Sequence, residues 1–245
     1  MSFVHTDSLA SLEVEIWHEL HAGAVDLSVS NTTVYMVLAV LLSVILLRWM
    51  VSRAQIVPGR AQLLAESLYR FVEGIVESNM RRDTERYMSV MFSLFVFILS
   101  CNLVGLFPGI FSPTAQIVVT ATMAVCVFLY AIVLRIRLHG WRFFTMFAPP
   151  GVPFWVLPLL IPIELLSFLA RPVTLALRLF ANMTAGHAAL GVLAMLGIAA
   201  PWFLQWLPLG FTAMQVALEL LIAFIQAYIF VTLACVYIDD ALTEH

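Results

Sequence analysis

Residues 153 to 200 form an almost unbroken apolar run, interrupted by Pro158, Pro162 and Pro172 and by four ionisable side chains, Glu164, Arg171, Arg178 and His187. As a single helix the run would be about 70 Å long at 1.5 Å per residue, more than twice the roughly 30 Å hydrocarbon core of a bilayer. It must be steeply tilted, kinked or split into two pieces. Composition points the same way: 62% of the 245 residues are hydrophobic, 11% are charged, and the mean hydropathy is +1.00, against about 45–50% apolar residues in soluble domains. The chain reads as an all-α polytopic membrane protein forming one membrane domain, residues 1 to 245.

Its remaining segments follow from length and charge. Residues 34 to 51, VYMVLAVLLSVILLRWMV, are long enough for a first span, and Arg48, Arg53 and Arg60 follow it. The preceding tail, residues 1 to 33, carries Asp7, Glu13, Glu15, Glu19 and Asp26 and no arginine, so it lacks the basic start of a secretory signal. Because basic residues concentrate on the cytoplasmic side, this acidic tail is expected outside and the arginines inside. Residues 59 to 80 place Leu64, Leu68, Phe71, Val72 and Ile75 at helical spacing, with Arg60, Glu66, Arg70, Glu73 and Glu77 elsewhere around the helix. This is an amphipathic helix on the inner surface, or one packed on a soluble partner. MRRDTERY leads to a second span at 88 to 107, closed by FPGIFSP. Residues 116 to 134 form a third, and Arg135, Arg137 and Arg142 return the chain inside. After FAPPGVP comes the long run, 153 to 200. PWFLQWLPLG then makes a turn, and residues 211 to 238 form a last long helix before DDALTEH. The expected architecture is about five transmembrane helices plus one interfacial helix.

All twelve basic residues are arginine and the net charge is −3, which excludes the basic signature of a nucleic-acid partner. Cys101, Cys126 and Cys235 sit singly in apolar runs without metal-ligand spacing and read as small hydrophobes. There is no HExxH and no phosphate-binding glycine loop, so neither a metal nor another cofactor is expected, and no enzymatic activity of the chain alone.

The ionisable residues of the long run need a reason to be there. An arginine at mid-membrane costs about 2.5–3.5 kcal/mol on insertion scales. Arg171, beside Pro172, can be excused as snorkelling to an interface. Arg178 cannot, with some twenty mostly apolar residues after it. Arg171, Thr174, Arg178 and Asn182 fall on one helical face, as do Gln215, Glu219, Gln226 and Tyr237 on the last helix. Two such stripes suggest a packed pair lining a wet path, although glutamines alone are common glue between membrane helices. Arginine stays protonated, making Arg178 a fixed charge. His187 and Glu219, with reference pKa values of about 6.5 and 4.3, suit a proton relay, as does Glu164 on the other side of the arginine.

RPVTLALRLFANMTAGH (171 to 187), ELLIAFIQAYIFVTLACVYI (219 to 238) and NLVGLFPG (102 to 109) resemble the signature segments of subunit a of the F-type ATP synthase, and the order of elements is similar over nearly the whole chain. The resemblance implies that the last two helices form a long tilted hairpin facing the c-ring, with the C-terminus inside. It makes Arg178 the family's essential arginine, Gln226 its neighbour on the last helix, and Thr174 and Asn182 its flanking residues. Glu164 matches an acid of the inner access path, and His187, Glu219 and Asn102 match polar residues of the outer one. His187 and Glu219 are exchanged relative to many bacterial members, an arrangement similar to alphaproteobacterial and mitochondrial ones; Gly105 stands where some members carry an acid. The implied function is that of a stator subunit with two proton half-channels, coupling proton flow to c-ring rotation and ATP synthesis. The implied partners are the c-ring, the subunit b stalk, the catalytic sector indirectly, and the lipid bilayer. The acidic start and the absence of lysine favour a bacterial inner membrane over the mitochondrial inner membrane. A proton-coupled secondary transporter is the alternative, opposed by the absence of a visible repeat pair.

Overall fold

A computed structural model describes residues 16–18, 21–22, 25–26, 29–52, 55–80, 83–106, 113–140 and 155–242. Six α-helices dominate it: α1 (Asn31–Val51), α2 (Arg60–Asn79), α3 (Thr84–Gly105), α4 (Ile117–His139), α5 (Leu157–Ala199) and α6 (Trp206–Leu242). All but α2 are long and apolar enough to cross a membrane, and the protein is a polytopic helical membrane protein. Ahead of α1 lie two small antiparallel pairs, β1 (Ile16–His18) with β4 (Val29–Ser30) and β2 (His21–Ala22) with β3 (Val25–Asp26). A 3-10 turn, Pro113–Ala115, precedes α4.

Local chemistry explains the ends. Asp83, between α2 and α3, takes φ 55°, a left-handed conformation that Asp tolerates better than most non-glycine residues. Gly140 closes α4 at the same φ, where a side chain would be strained. α5 begins with Pro158 in its first turn, where no N–H bond is lost. It then continues unbroken through Pro162 and Pro172. The apolar run is therefore one helix and not two pieces, and its 43 residues amount to about 65 Å, too long to stand upright in a bilayer. α6 starts at Trp206, earlier than the apolar pattern suggests, because Pro208 also falls in a first turn.

The core lies where α2, α3 and α6 meet. Val72 and Val76 of α2, Met91, Phe95 and Ile98 of α3, and Phe230, Val231 and Ile238 of α6 are all essentially inaccessible. Phe71, Phe95 and Phe224 stack around one another at 5.1–5.9 Å between ring centroids, a spacing typical of tilted aromatic pairs. Ala65, Val72, Ile75 and Val76 of α2 are thus spent on the bundle itself, while Leu63 and Leu64 nearer its start stay exposed. Much of the outer surface of α1, α4 and α5 is apolar, for example Ile45, Val118, Leu166 and Ile198. Such surface suits a lipid solvent, not water.

Candidate functional site

The site is built on the α5–α6 hairpin. On α5 the buried positions are Pro172, Ala176, Leu179, Met183 and Gly186, alternating by four and three so that they form one seam. On α6 the matching positions are Glu219, Ala223, Gln226 and Phe230. The seam is rich in small residues, which lets membrane helices approach closely. Met183 packs on Ala223. At Gly186 the approach is closest: a Cβ there would lie 2.9 Å from Cδ and 3.1 Å from Cγ of Glu219, and closer still to its Oε1. A glycine is needed because the Glu219 side chain occupies the place a β-carbon would take.

Three predicted residues lie toward this end of the hairpin. Asn102 is fully buried and donates through Nδ2 to the Ala223 carbonyl at 3.3 Å. Glu219 lies one turn from Ala223 and is 7% exposed. His187 follows Gly186 directly and is half-buried. Asn102 Oδ1 and Glu219 Oε1 are buried without a partner among the described residues. Unpaired buried acceptors are costly unless water or a proton reaches them.

The other predicted residues are placed differently. Arg178 is exposed, and among the described residues its side chain has no hydrogen-bond or ion-pair partner. Thr174 is exposed as well, its hydroxyl donating to the Arg171 carbonyl at 2.9 Å. Asn182 and Glu164 are half-buried. Gln226 is 3% exposed. Extending the antiparallel register of Met183 with Ala223 brings Arg178 level with the turn of α6 that carries Gln226. The polar stripes therefore do not both line the seam. That of α6 is largely sealed inside the bundle, whereas that of α5 is turned outward at Thr174 and Arg178 by the neighbouring row of small and apolar seam residues.

Along α5 the order is Glu164, then Arg171 and Arg178, then His187. The arginine-bearing end of α4 lies beside the end of α6, since Arg135 donates to the carbonyl of Asp240. The Asn102–Glu219–His187 group thus sits at the opposite end from the Arg135 cluster, and Arg178 lies between. Among the described residues no group of His, Cys, Asp and Glu is arranged to hold a metal.

Residues 33–239 match the family described as ATP synthase A chain. The chain belongs to that family. Among its relatives are proteins named ATP synthase subunit a from Magnetococcus marinus, 44% identical over 230 residues, from Rhodopseudomonas palustris, 43% identical over 229, and from Bradyrhizobium diazoefficiens, 42% identical over 229. These alignments cover 91–92% of this chain and 89–92% of the relatives, so family membership extends to nearly every element above. Two features of this member had no single-residue signal in its sequence: the notch at Gly186, which requires knowing that Glu219 lies opposite, and the inward turn of Arg135.

Proposed function

We propose that the chain is the stator subunit a of an F-type ATP synthase, in which it provides two proton half-channels and the fixed arginine between them. The observation that carries the reading is Arg178, an exposed side chain without a partner among the described residues, at mid-helix in a lipid-spanning segment. Left facing hydrocarbon it would cost about 2.5–3.5 kcal/mol or more. A surface that brings a carboxylate to it removes that cost, and the c-ring of a rotary synthase has such a carboxylate. The outer face of α5 is then the rotor face, and α1, α2 and the remaining surface are left for the stalk and lipid. The bacterial relatives support placement in a bacterial inner membrane.

In this mechanism a proton enters at the Asn102–Glu219–His187 group, where Asn102 Oδ1 and Glu219 Oε1 are buried oxygens that can hold water. It neutralises a rotor carboxylate, which then turns away through lipid. On arriving near Glu164 the carboxyl gives up its proton to the inner path. It leaves as a carboxylate because Arg178 favours the charged form and gains nothing from the neutral one. Arg178, which cannot itself pass on a proton, keeps the two paths from joining.

The test is Arg178→Ala in membrane vesicles containing the assembled complex. ATP-driven proton pumping is measured first, then passive proton leak after the catalytic sector is stripped. Lost pumping with a retained or increased leak is expected. Normal pumping by a correctly assembled complex would sink the assignment.

A further inference from the structure

At the opposite end from the Asn102 group, α4, α5 and α6 carry a second, partly exposed polar cluster with no place in the mechanism above. Arg135 of α4 is 5% exposed. Its guanidinium donates to the backbone carbonyl of Asp240, one of the last carbonyls of α6 and so without a partner inside its own helix. Arg171 of α5 reaches the Asp240 carboxylate at 3.6 Å. One residue near the end of α6 thereby binds both neighbouring helices, through its main chain to α4 and through its side chain to α5. The negative end of the α6 dipole favours both arginines.

Between these groups is a cavity of about 20 Å³ bounded by Phe128, Arg135, Phe168, Tyr237 and Asp240. Two polar atoms are buried here without a partner among the described residues, Arg135 Nε and the Tyr237 hydroxyl. Tyr237 is 5% exposed, its ring set edge-on to Phe128. A cavity needs about 10–15 Å³ and two or more polar partners to hold a water. This one offers the room, a guanidinium donor and a hydroxyl, with Asp240 also on its wall.

We propose that this cavity holds one ordered water bridging Arg135 and Tyr237, and that the surrounding Arg135–Asp240–Arg171 cluster is a clamp that positions the Arg178 segment of α5 against α6. Arg171 and Arg178 are two helical turns apart on one rigid helix. Fixing the first to Asp240 restricts rotation and sliding of the second, while Arg135 fixes α6 to the body of the bundle. Arg171 and Asp240 are positioning residues in this account, because neither needs to meet the rotor.

The positioning role rests on the function proposed for Arg178, and the test separates the two. In vesicles with the assembled complex, Asp240→Asn and Arg171→Gln are compared with Arg178→Ala and with the conservative Asp240→Glu. Each is normalised to the amount of assembled subunit. A clamp predicts a several-fold rise in passive leak per complex for Asp240→Asn and Arg171→Gln, with pumping reduced, and recovery in Asp240→Glu. A purely architectural role would lower the amount of complex and leave leak and pumping per complex unchanged, which would overturn the proposal. If Arg178→Ala itself pumps normally, the functional reading fails instead. The water is tested in a high-resolution map of the intact complex: density between Arg135 Nε and the Tyr237 hydroxyl is expected, and direct contact between the two side chains would refute it.

Discussion

Replacing Gly186 by alanine tests the geometry of the outer group with a single methyl. The new Cβ would stand 2.9 Å from Cδ of Glu219, and the separation must open beyond 3.4 Å to become an ordinary contact. The carboxyl must therefore move by at least half an ångström, and its Oε1 by more, within a site where Glu219 is 7% exposed. Two effects on stability oppose each other. Alanine in place of glycine in a helix interior gains about 1 kcal/mol, while overpacking costs about 1–3 kcal/mol. The net loss is about 0–2 kcal/mol, small enough for the subunit to remain assembled. The effect on flux is larger, since displacing a reacting group by about 1 Å can cost on the order of 100-fold. The assay is ATP-driven proton pumping and ATP synthesis per assembled complex in vesicles. At least a tenfold loss is expected, partly restored by Gly186→Ala combined with Glu219→Asp, which withdraws the carboxyl by one methylene. Unchanged flux at unchanged assembly would refute the reasoning, for Glu219 would then not need the place it occupies.

Asn102→Leu keeps the side-chain volume but removes the hydrogen bond to the Ala223 carbonyl. Because the Ala223 carbonyl keeps its partner inside α6, only the net value of one hydrogen bond, about 0.5–1.5 kcal/mol, is lost, and a fall in inward proton flux that exceeds any fall in assembled subunit is expected. Phe95→Ala empties the centre of the α2–α3–α6 core, where Phe95 has no exposure and meets Phe71 and Phe224. It should cost about 3–5 kcal/mol and show as a several-fold lower amount of assembled subunit at unchanged pumping per complex.

Much of the fold was legible because hydrocarbon leaves the sequence few options. An apolar run of span length flanked by arginine has to cross and stop, and α1, α3 and α4 are of that kind. The ends were harder. α3 begins at Thr84, taking Glu85 and Arg86 into its first turn, because polar side chains near a membrane surface do not oppose helix formation, and apolarity alone stops short of them. The continuity of α5 was also open, since proline weakens a helix without ending it when neighbouring helices support the backbone. For the short β pairs between residues 16 and 30 the sequence signal is brief: Val25, Leu27 and Val29 alternate with Asp26, Ser28 and Ser30, a period-2 pattern that does not extend to Ile16–His18.

The site was legible as a set of residue types, not as an arrangement. Spacing places Arg171, Thr174, Arg178 and Asn182 on one face, yet it cannot say whether that face meets α6 or the outside. What decides is the adjacent row, Ala176, Leu179, Met183 and Gly186, whose small or apolar side chains make the better seam. Arg135 shows the same limit in reverse: counted with Arg137 and Arg142 as a mark of sidedness, it is instead buried against the end of α6.

The outward turn of Arg178 has an energetic consequence for the proposed function. At about 4 Å and an effective dielectric of about 20, an arginine and a carboxylate attract by about 4 kcal/mol. One proton descending 100 mV supplies about 2.3 kcal/mol, so a single step cannot pull an ionised rotor site away from Arg178 into lipid. The attraction has to be transferred as it is broken. One carboxylate must receive its proton from the outer group while the next, newly deprotonated at the inner side, comes into range. This requires an arginine that the rotor can reach, together with titratable groups sealed behind it where the rotor cannot. The isolated hairpin has that division, with Arg178 exposed on α5 and Glu219 and Gln226 buried on α6. A buried Arg178 could block leakage but could not be handed from one rotor site to the next.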